Sequence, residues 1–201
     1  MGSDFKQKDE KDIKATLINC MNCQHQDRQI NSYGRPCPPV ELVKNGGFEQ
    51  DGVFSTFANW NEVENGINFS KTLSPYEGNS AAGFISQTSE DPVTKTGILR
   101  QNVIVTPSCF LVLSFAENLR QLGDNFNVME IRARVFYDTT SLINYEFSHE
   151  ETGTGFVFHQ IVSDNPVPNN VTSVTVEFFV SIVDTGPGTI WQLDGVSLRY
   201  A

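Results

Sequence analysis

The sequence predicts an all-β protein, a two-sheet antiparallel sandwich, on three observations. Residues 128–137 and 173–182 alternate apolar with polar side chains, the period of a strand that buries one face and exposes the other. About ten short apolar segments follow one another from residue 40, with Gly, Pro, Asn and Asp between them. This part has no helical period of ten residues or more. Such a pattern is typical of a β-sandwich.

The predicted strands combine β-branched and aromatic residues and have turn residues on either side. In chain order they cover residues 41–45, 67–70, 81–86, 97–105, 110–116, 128–137, 142–147, 155–162, 173–182, 189–192 and 195–200. The segment 128–137 is the clearest, because its positions divide cleanly between two faces. The apolar face carries Met129, Ile131, Ala133, Val135 and Tyr137, and the polar face carries Glu130, Arg132 and Arg134.

The chain divides near residue 39 into parts of different charge. Residues 1–39 carry six basic and five acidic side chains, whereas residues 40–201 carry eight basic and nineteen acidic ones. We predict an N-terminal, cysteine-containing connector over 1–39, an extended arm, and the sandwich over 40–201. The net charge of −10 gives no electrostatic basis for nucleic-acid binding, so no nucleic-acid partner is expected. No apolar run approaches the roughly 20 residues of a membrane span.

No catalytic motif is present in the sequence. The three histidines, His25, His149 and His159, stand outside any known nucleophile or metalloprotease motif. A pair of carboxylates in a cleft stays open as an alternative, because Asp and Glu are numerous. We expect most of them to be solubilising surface charges. The sequence therefore predicts a protein that is not an enzyme and requires no cofactor.

The cysteines are unevenly placed. Cys20, Cys23 and Cys37 lie in the connector, and Cys109 lies in the sandwich. All four are disulfide candidates, within one chain or between chains, and spacing alone does not give the pairs. Cys109 as a buried thiol is an alternative. The Cys-x-x-Cys pair with His25 offers part of a zinc site, but it lacks a second metal-binding half.

Three motifs, in this order, resemble the carbohydrate-binding-module type of β-jelly roll. They are Asn45-Gly46-Gly47-Phe48-Glu49, the segment 76–82 with Gly78-Asn79-Ser80-Ala81, and the closing Asp194-Gly195-Val196. The resemblance covers about residues 41–200. It implies a jelly-roll sandwich and, as an alternative function, a non-catalytic carbohydrate-binding module.

A closer resemblance is to the jelly-roll domain that precedes collagen-like repeats in surface proteins of spore-forming Firmicutes. That family shares the Asn-Gly-Gly-Phe-Glu start, the segment from Gln101 to Pro107, and the closing Asp-x-Val-x-Leu. No Gly-x-y repeat follows Tyr200 in this sequence.

The resemblance to binding modules also implies site residues. In those jelly rolls the opening Glu and the closing Asp share a structural Ca²⁺. By motif, the corresponding residues of this sequence are Glu49 and Asp194. Alternatively, these carboxylates cap turns or pair with a nearby cation. Trp60 and Trp191 are candidates for stacking on a sugar ring. The other interpretation of both tryptophans is core packing.

The layout of a short connector before a jelly roll is similar to that of endospore appendage subunits and related donor-strand fibres. It implies that the strand-like segment with Ile13, Ala15, Leu17 and Ile18 completes a sheet edge of the next copy. A strand that folds back on its own domain, or a disordered tail, are the alternatives for this segment. The nearby cysteines could lock the joint covalently.

We therefore predict a structural, self-assembling subunit of a bacterial spore-surface fibre or layer. Its first partner is another copy of itself, and other spore-surface proteins or glycans are further partners. No signal peptide is visible at the N-terminus. A spore surface or extracellular appendage agrees with that, because spore surface layers are assembled from proteins made inside the mother cell.

Overall fold

The computed structural model describes residues 37–148, 155–186 and 188–201, and in these residues it contains strands and no helix. The ten strands are β1 Asn61–Asn65, β2 Ile67–Thr72, β3 Ala81–Ser86, β4 Val93–Ile104, β5 Leu111–Gln121, β6 Asp124–Tyr137, β7 Thr140–Ser148, β8 Val157–Val162, β9 Ser173–Thr185 and β10 Ile190–Tyr200. In the described ranges, accordingly, there is no helix that could span a bilayer.

The strands form two five-stranded sheets. The first sheet has the order β1-β4-β9-β6-β7, and the second has the order β2-β3-β10-β5-β8. Every pair of neighbouring strands is antiparallel. The prediction of an all-β, two-sheet antiparallel jelly-roll sandwich is confirmed.

The core lies between the two sheets and is built from their inward-facing side chains. Phe178 of β9 meets Phe115 of β5 edge to face, with ring centroids 5.1 Å apart. Trp191 of β10 packs in the same way on Phe84 of β3, at 4.9 Å. All four side chains are fully buried. Burial of one such side chain contributes roughly 1.5–3 kcal/mol, so these aromatic contacts are a main source of the sandwich's stability.

Two strand predictions differ from the structure at the beginning of the sandwich. Residues 41–45 are not a strand. The Leu42 N–H donates to the carbonyl of Leu198 at 2.9 Å, as in a ladder. The Lys44 N–H, however, donates to the side chain of Gln101, and Asn45 has a φ of 54°. A ladder cannot continue through such a bend. Conversely, β1 was not predicted, because Asn61–Asn65 is almost entirely polar and forms an edge of its sheet.

The last strand is continuous where the sequence predicted two. The pairing of β10 with β5 shifts register between Asp194 and Ser197, and Gly195 has a φ of 57°. This is a β-bulge at a glycine, which bends the strand without ending it. Gly195 was therefore wrongly interpreted as the boundary between two strands.

An ion pair lies inside the sandwich. The ammonium of Lys95 on β4 donates to Asp184 Oδ1 on β9 at 2.7 Å, and both side chains are buried. Asp184 Oδ2 also accepts hydrogen bonds from Ser86 of β3, at 2.6 Å, and from the hydroxyl and the N–H of Thr189. Burial alone would raise the pKa of Asp184, but these hydrogen bonds outweigh it and hold the pKa below its ordinary value. The carboxylate thus joins the two sheets.

Candidate functional site

The outer face of the first sheet carries an unusual set of polar side chains. Along β9, Val174, Val176, Phe178, Val180 and Ile182 point into the core. The residues between them point outward, and at the centre of this outer face is Glu177. Its neighbours in register are Arg100 on β4 and Arg134 on β6. Glu177 nevertheless has no exposed surface, because arginine side chains cover it.

Three arginines surround that carboxylate, and we call Arg100, Arg132, Arg134 and Glu177 the Arg–Glu177 cluster. Arg100 Nε donates to Glu177 Oε2 at 2.5 Å, and Arg134 donates to Oε1 through Nε at 2.9 Å and through Nη2. Arg132 lies farther away, at 4.0 Å from Oε1. A carboxylate without solvent is tolerated only when it is paired in this way.

Two phenylalanine rings hold the guanidinium groups against the sheet. Arg134 lies over the ring of Phe136 at 4.7 Å, and Arg132 lies over Phe179 at 4.8 Å. Such cation–π contacts contribute about 0.5–1 kcal/mol at exposed sites. Arg134 is therefore fixed from two directions, by the Glu177 carboxylate and by the ring of Phe136.

Beside this cluster lies a groove of about 600 Å³, which we call the Trp60 groove. Its lining residues are Asn59, Trp60, Asn61, Arg100, Gln101, Asn102, Phe136 and Thr175. They come from β1, β4, β6 and β9 and from the turn before β1. A second groove of about 370 Å³ lies farther along the same face, where Glu130, Arg132, Glu146 and Phe179 are among its lining residues. One sheet face thus holds both grooves.

Trp60 borders its groove but offers little ring surface. It is only 4% exposed, its indole N–H donates to the carbonyl of Asn45 at 3.0 Å, and its ring packs against Phe48. Trp191 has no exposed surface and donates to Glu117 Oε2 at 2.8 Å. In this structure both tryptophans are core residues, and Trp191 has no face available to a sugar.

Glu49 and Asp194 hold one loop between them. Glu49 Oε1 accepts the N–H groups of Asn79 and Ser80, and Asp194 Oδ2 accepts those of Tyr76 and Glu77. The N–H groups lower the pKa of Glu49. Burial raises the pKa of Asp194, against the N–H groups that favour its charged form.

The donors around these two carboxylates do not fit calcium. Ca²⁺ requires a shell of six to eight oxygen atoms, whereas here backbone N–H groups point at the carboxylates. The ammonium of Lys71 already lies at this corner, 2.7 Å from the backbone oxygen of Glu49 and 2.7 Å from Asp51 Oδ1. Among the described residues, no group of three or more His, Cys, Asp or Glu could hold a metal ion. Glu49 and Asp194 act as loop anchors, the alternative that the sequence left open.

Two of the candidate cysteines form a disulfide within the chain, between Cys37 and Cys109, 72 residues apart in sequence. Cys109 is fully buried and lies two residues before β5. The bond ties the end of the predicted connector to the sandwich. Cys20 and Cys23, and the predicted assembly residues Ile13, Ala15, Leu17 and Ile18, lie outside the described residues. Strand donation therefore stays a prediction.

A partly buried chain of polar side chains, where β7 of the first sheet meets β8 of the second, was not predicted. Tyr145 Oη lies 3.2 Å from His159 Nδ1, and His159 Nε2 lies 3.2 Å from Glu117 Oε1. The other carboxylate oxygen of Glu117, Oε2, accepts the indole N–H of Trp191. The imidazole stacks on Phe115 at 5.0 Å. His159 sits between β5 and β7, so it is a packed and hydrogen-bonded residue of the sandwich rather than an exposed group.

Sequence reasoning missed the Arg–Glu177 cluster as a unit. Alternation placed Arg132, Arg134 and Glu177 on polar faces of their strands, and that was the available signal. Their meeting requires β9 to lie between β4 and β6, a strand order that no local pattern reveals. The grooves follow from the same order.

A scan of protein-family models and a search of curated protein sequences each find no match. Solved structures do match in fold. TmCBM61, solved with β-1,4-galactotriose, has a TM-score of 0.56 and 15% identity, over 81% of this chain and 99% of that one. A CBM4 structure has a TM-score of 0.50 and 16% identity, over 79% of this chain and 99% of its own. The Stig cyclase FisC from Fischerella sp. TAU has a TM-score of 0.54 and 14% identity, over 82% and 98%.

These similarities establish the fold, a jelly-roll sandwich of the kind found in carbohydrate-binding modules. That part of the predicted resemblance is confirmed. The resemblance to spore-surface proteins stays a prediction. Because a cyclase shares the architecture, the fold by itself is compatible with binding and with catalysis.

Proposed function

We propose that this chain is a non-catalytic carbohydrate-binding module and that the Trp60 groove on the outer face of the first sheet is its site. One observation carries the proposal: the groove combines three exposed asparagines, an arginine and a phenylalanine on rigid strands and the turn beside them. Directional donors and acceptors beside an apolar ring suit a sugar, which has hydroxyl groups around its edge and C–H groups on its faces.

The groove is held in place before any ligand arrives. Glu177 fixes Arg100 from below, and Asn102 Oδ1 accepts a hydrogen bond from Thr175 at 2.8 Å. Side chains that are already ordered lose little conformational entropy on binding, so weak contacts with hydroxyl groups are sufficient for measurable affinity.

The proposed function is binding without turnover. Hydrolysis of a glycoside normally requires two carboxyl groups on either side of the scissile bond. The residues that line the Trp60 groove include no carboxylate. Glu177, the nearest one, accepts hydrogen bonds from two arginines and is fully buried. A carboxylate held in this way is a poor general acid or base.

A pair of matched asparagine variants tests the site. Asn102 and Asn68 are both exposed strand residues whose Oδ1 accepts one side-chain hydrogen bond, from Thr175 and from Gln87 Nε2. Asn102 lies on the first sheet and Asn68 on the second. Wild type and both alanine variants are compared by affinity electrophoresis and calorimetry on a panel of plant and microbial polysaccharides.

Asn102→Ala is expected to bind about fivefold more weakly, the effect of one hydrogen bond. Asn68→Ala should bind like wild type. Equal affinity of all three proteins would show that Asn102 is not part of the binding site and would contradict its placement on this face. If wild type binds no polysaccharide of the panel, the proposed function is wrong.

A surface or extracellular location is part of the same proposal. The Cys37–Cys109 disulfide supports it, because disulfides persist in oxidising compartments and are rare in the cytosol. Thiol alkylation of the protein in freshly lysed cells, with and without reductant, tests the location. Full labelling of Cys37 and Cys109 without reductant would contradict it.

A further inference from the structure

The Arg–Glu177 cluster is the place where positive charge gathers on an acidic domain. Residues 40–201 carry eight basic side chains against nineteen acidic ones, and three of the eight are Arg100, Arg132 and Arg134. These three share Glu177. Three other cations each pair with one carboxylate, namely Lys71 with Asp51, Lys95 with Asp184 and Arg199 with Glu41.

The charge is unevenly distributed along the outer face of the first sheet. Glu130 and Glu146 line the second groove together with Arg132. At the Trp60 groove, Arg100 is the charged lining residue, and the other polar lining groups are neutral. With Arg134 beside it and Glu177 beneath, this end of the face has an excess of one positive charge.

Arg100 has hydrogen-bonding capacity to spare. Its side chain uses the Nε–H for Glu177, and among the described residues it makes no other side-chain hydrogen bond. A guanidinium carries five N–H donors, so four remain on its two terminal nitrogens. The side chain is 40% exposed, the most of the three arginines. A planar fork of this kind matches the two oxygens of a carboxylate.

We propose, as a refinement that rests on the proposed function, that the Trp60 groove selects a uronate unit of an acidic polysaccharide. Arg100 binds the sugar carboxylate, while Asn59, Asn61 and Asn102 contact its hydroxyl groups. Because the domain as a whole is acidic, a local excess of positive charge favours the approach of an anionic polymer to this end of the sheet.

The test compares each acidic polymer with its own uncharged form. The panel contains polygalacturonate, alginate, hyaluronan and glucuronoxylan, each with a counterpart whose carboxyl groups have been reduced to alcohols, together with neutral galactan. Affinity electrophoresis is run with wild type, Arg100→Gln and Arg199→Gln. Arg199 is the matched control, because its Nε also bonds a glutamate, Glu41 at 2.9 Å, but it lies on the second sheet.

We expect that wild type binds one or more of the uronate polymers about tenfold more tightly than the reduced form of the same polymer, or more tightly still. About tenfold is the effect of one charge-assisted hydrogen bond. Arg100→Gln should lose that preference, and Arg199→Gln should keep it. Arg100→Lys keeps the charge but not the planar fork, so it should retain part of the preference. That residual binding would show that the fold of the Lys variant is intact.

Equal or tighter binding of the reduced polymers, or of galactan alone, would overturn the uronate inference and leave the proposed function standing. Retention of the preference by Arg100→Gln would overturn the role of Arg100. Absence of binding to every glycan would instead refute the proposed function.

Discussion

Two buried carboxylates in this protein, Asp184 and Glu177, are equally inaccessible to water but have opposite surroundings. Asp184 lies inside the sandwich, where its cationic partner Lys95 has a side chain only 3% exposed. Glu177 lies on the outer face, beneath arginines that are 25–40% exposed. The difference separates a carboxylate that joins the two sheets from one that orders arginine side chains at the surface.

The interior pair should be the more costly to break. Asp184→Asn leaves the Lys95 ammonium buried without a counter-charge, and removal of one partner of a buried pair costs about 3–5 kcal/mol. We expect that loss in the free energy of unfolding, measured with urea. The double variant Lys95→Met with Asp184→Asn should be less destabilised than the two single effects combined. A loss below about 1 kcal/mol for Asp184→Asn would contradict the assignment.

The outer carboxylate should matter less for stability and more for binding. In Glu177→Gln the arginines lose their counter-charge but remain in contact with water, so we expect a loss of about 1–3 kcal/mol. Glycan affinity should fall as well, because Arg100 is no longer fixed. Calorimetric titration of folded Glu177→Gln measures this. Full affinity in that variant would show that the cluster does not position the site.

Acid should weaken the interior pair. The pKa of Asp184 is lowered in the folded protein by its hydrogen bonds, so its contribution to stability is present above the unfolded pKa, about 3.9, and is lost as the pH falls through the folded pKa. The stability difference between wild type and Asp184→Asn should therefore shrink on acidification below about pH 4. Urea titrations of both proteins from pH 7 downward measure it, and a constant difference would contradict the sign of the shift.

The smallest effect is expected at an exposed pair. Arg199 and Glu41 are 64% and 35% exposed at their side chains, and such pairs contribute about 0–1 kcal/mol. Arg199→Gln should therefore change the free energy of unfolding by less than about 1 kcal/mol, with no effect on glycan binding. A larger loss in thermal or urea unfolding would mean that exposure is a poor guide to the ranking above.

The alternation of side chains was sufficient to predict the sandwich and most of its strands, because burial of one sheet face imposes a period of two. It failed where polar groups replaced that period. The polar edge strand Asn61–Asn65 was missed, and residues 41–45 were taken as a strand although Gln101 captures the N–H of Lys44.

The candidate site could be predicted from the sequence only in part. Arg132, Arg134 and Glu177 could be assigned to solvent-facing sides of their strands, but Arg100 joins them through the pairing of β4 with β9. Such long-range register is set by the whole sandwich and not by local residues. The Asn45–Glu49 and Asp194 motifs did identify a real corner of the fold, where backbone N–H groups, rather than further oxygen ligands for calcium, surround the two carboxylates.

A titration followed by ¹⁵N–¹H NMR tests the central claim, that the outer face of the first sheet is the binding surface. A glycan that binds wild type in the panel is added to the labelled protein. We predict that the largest shift changes fall on β4, β6 and β9 around Asn102, Phe136 and Thr175. Changes confined to the second sheet, or to the loop held by Glu49 and Asp194, would contradict the claim.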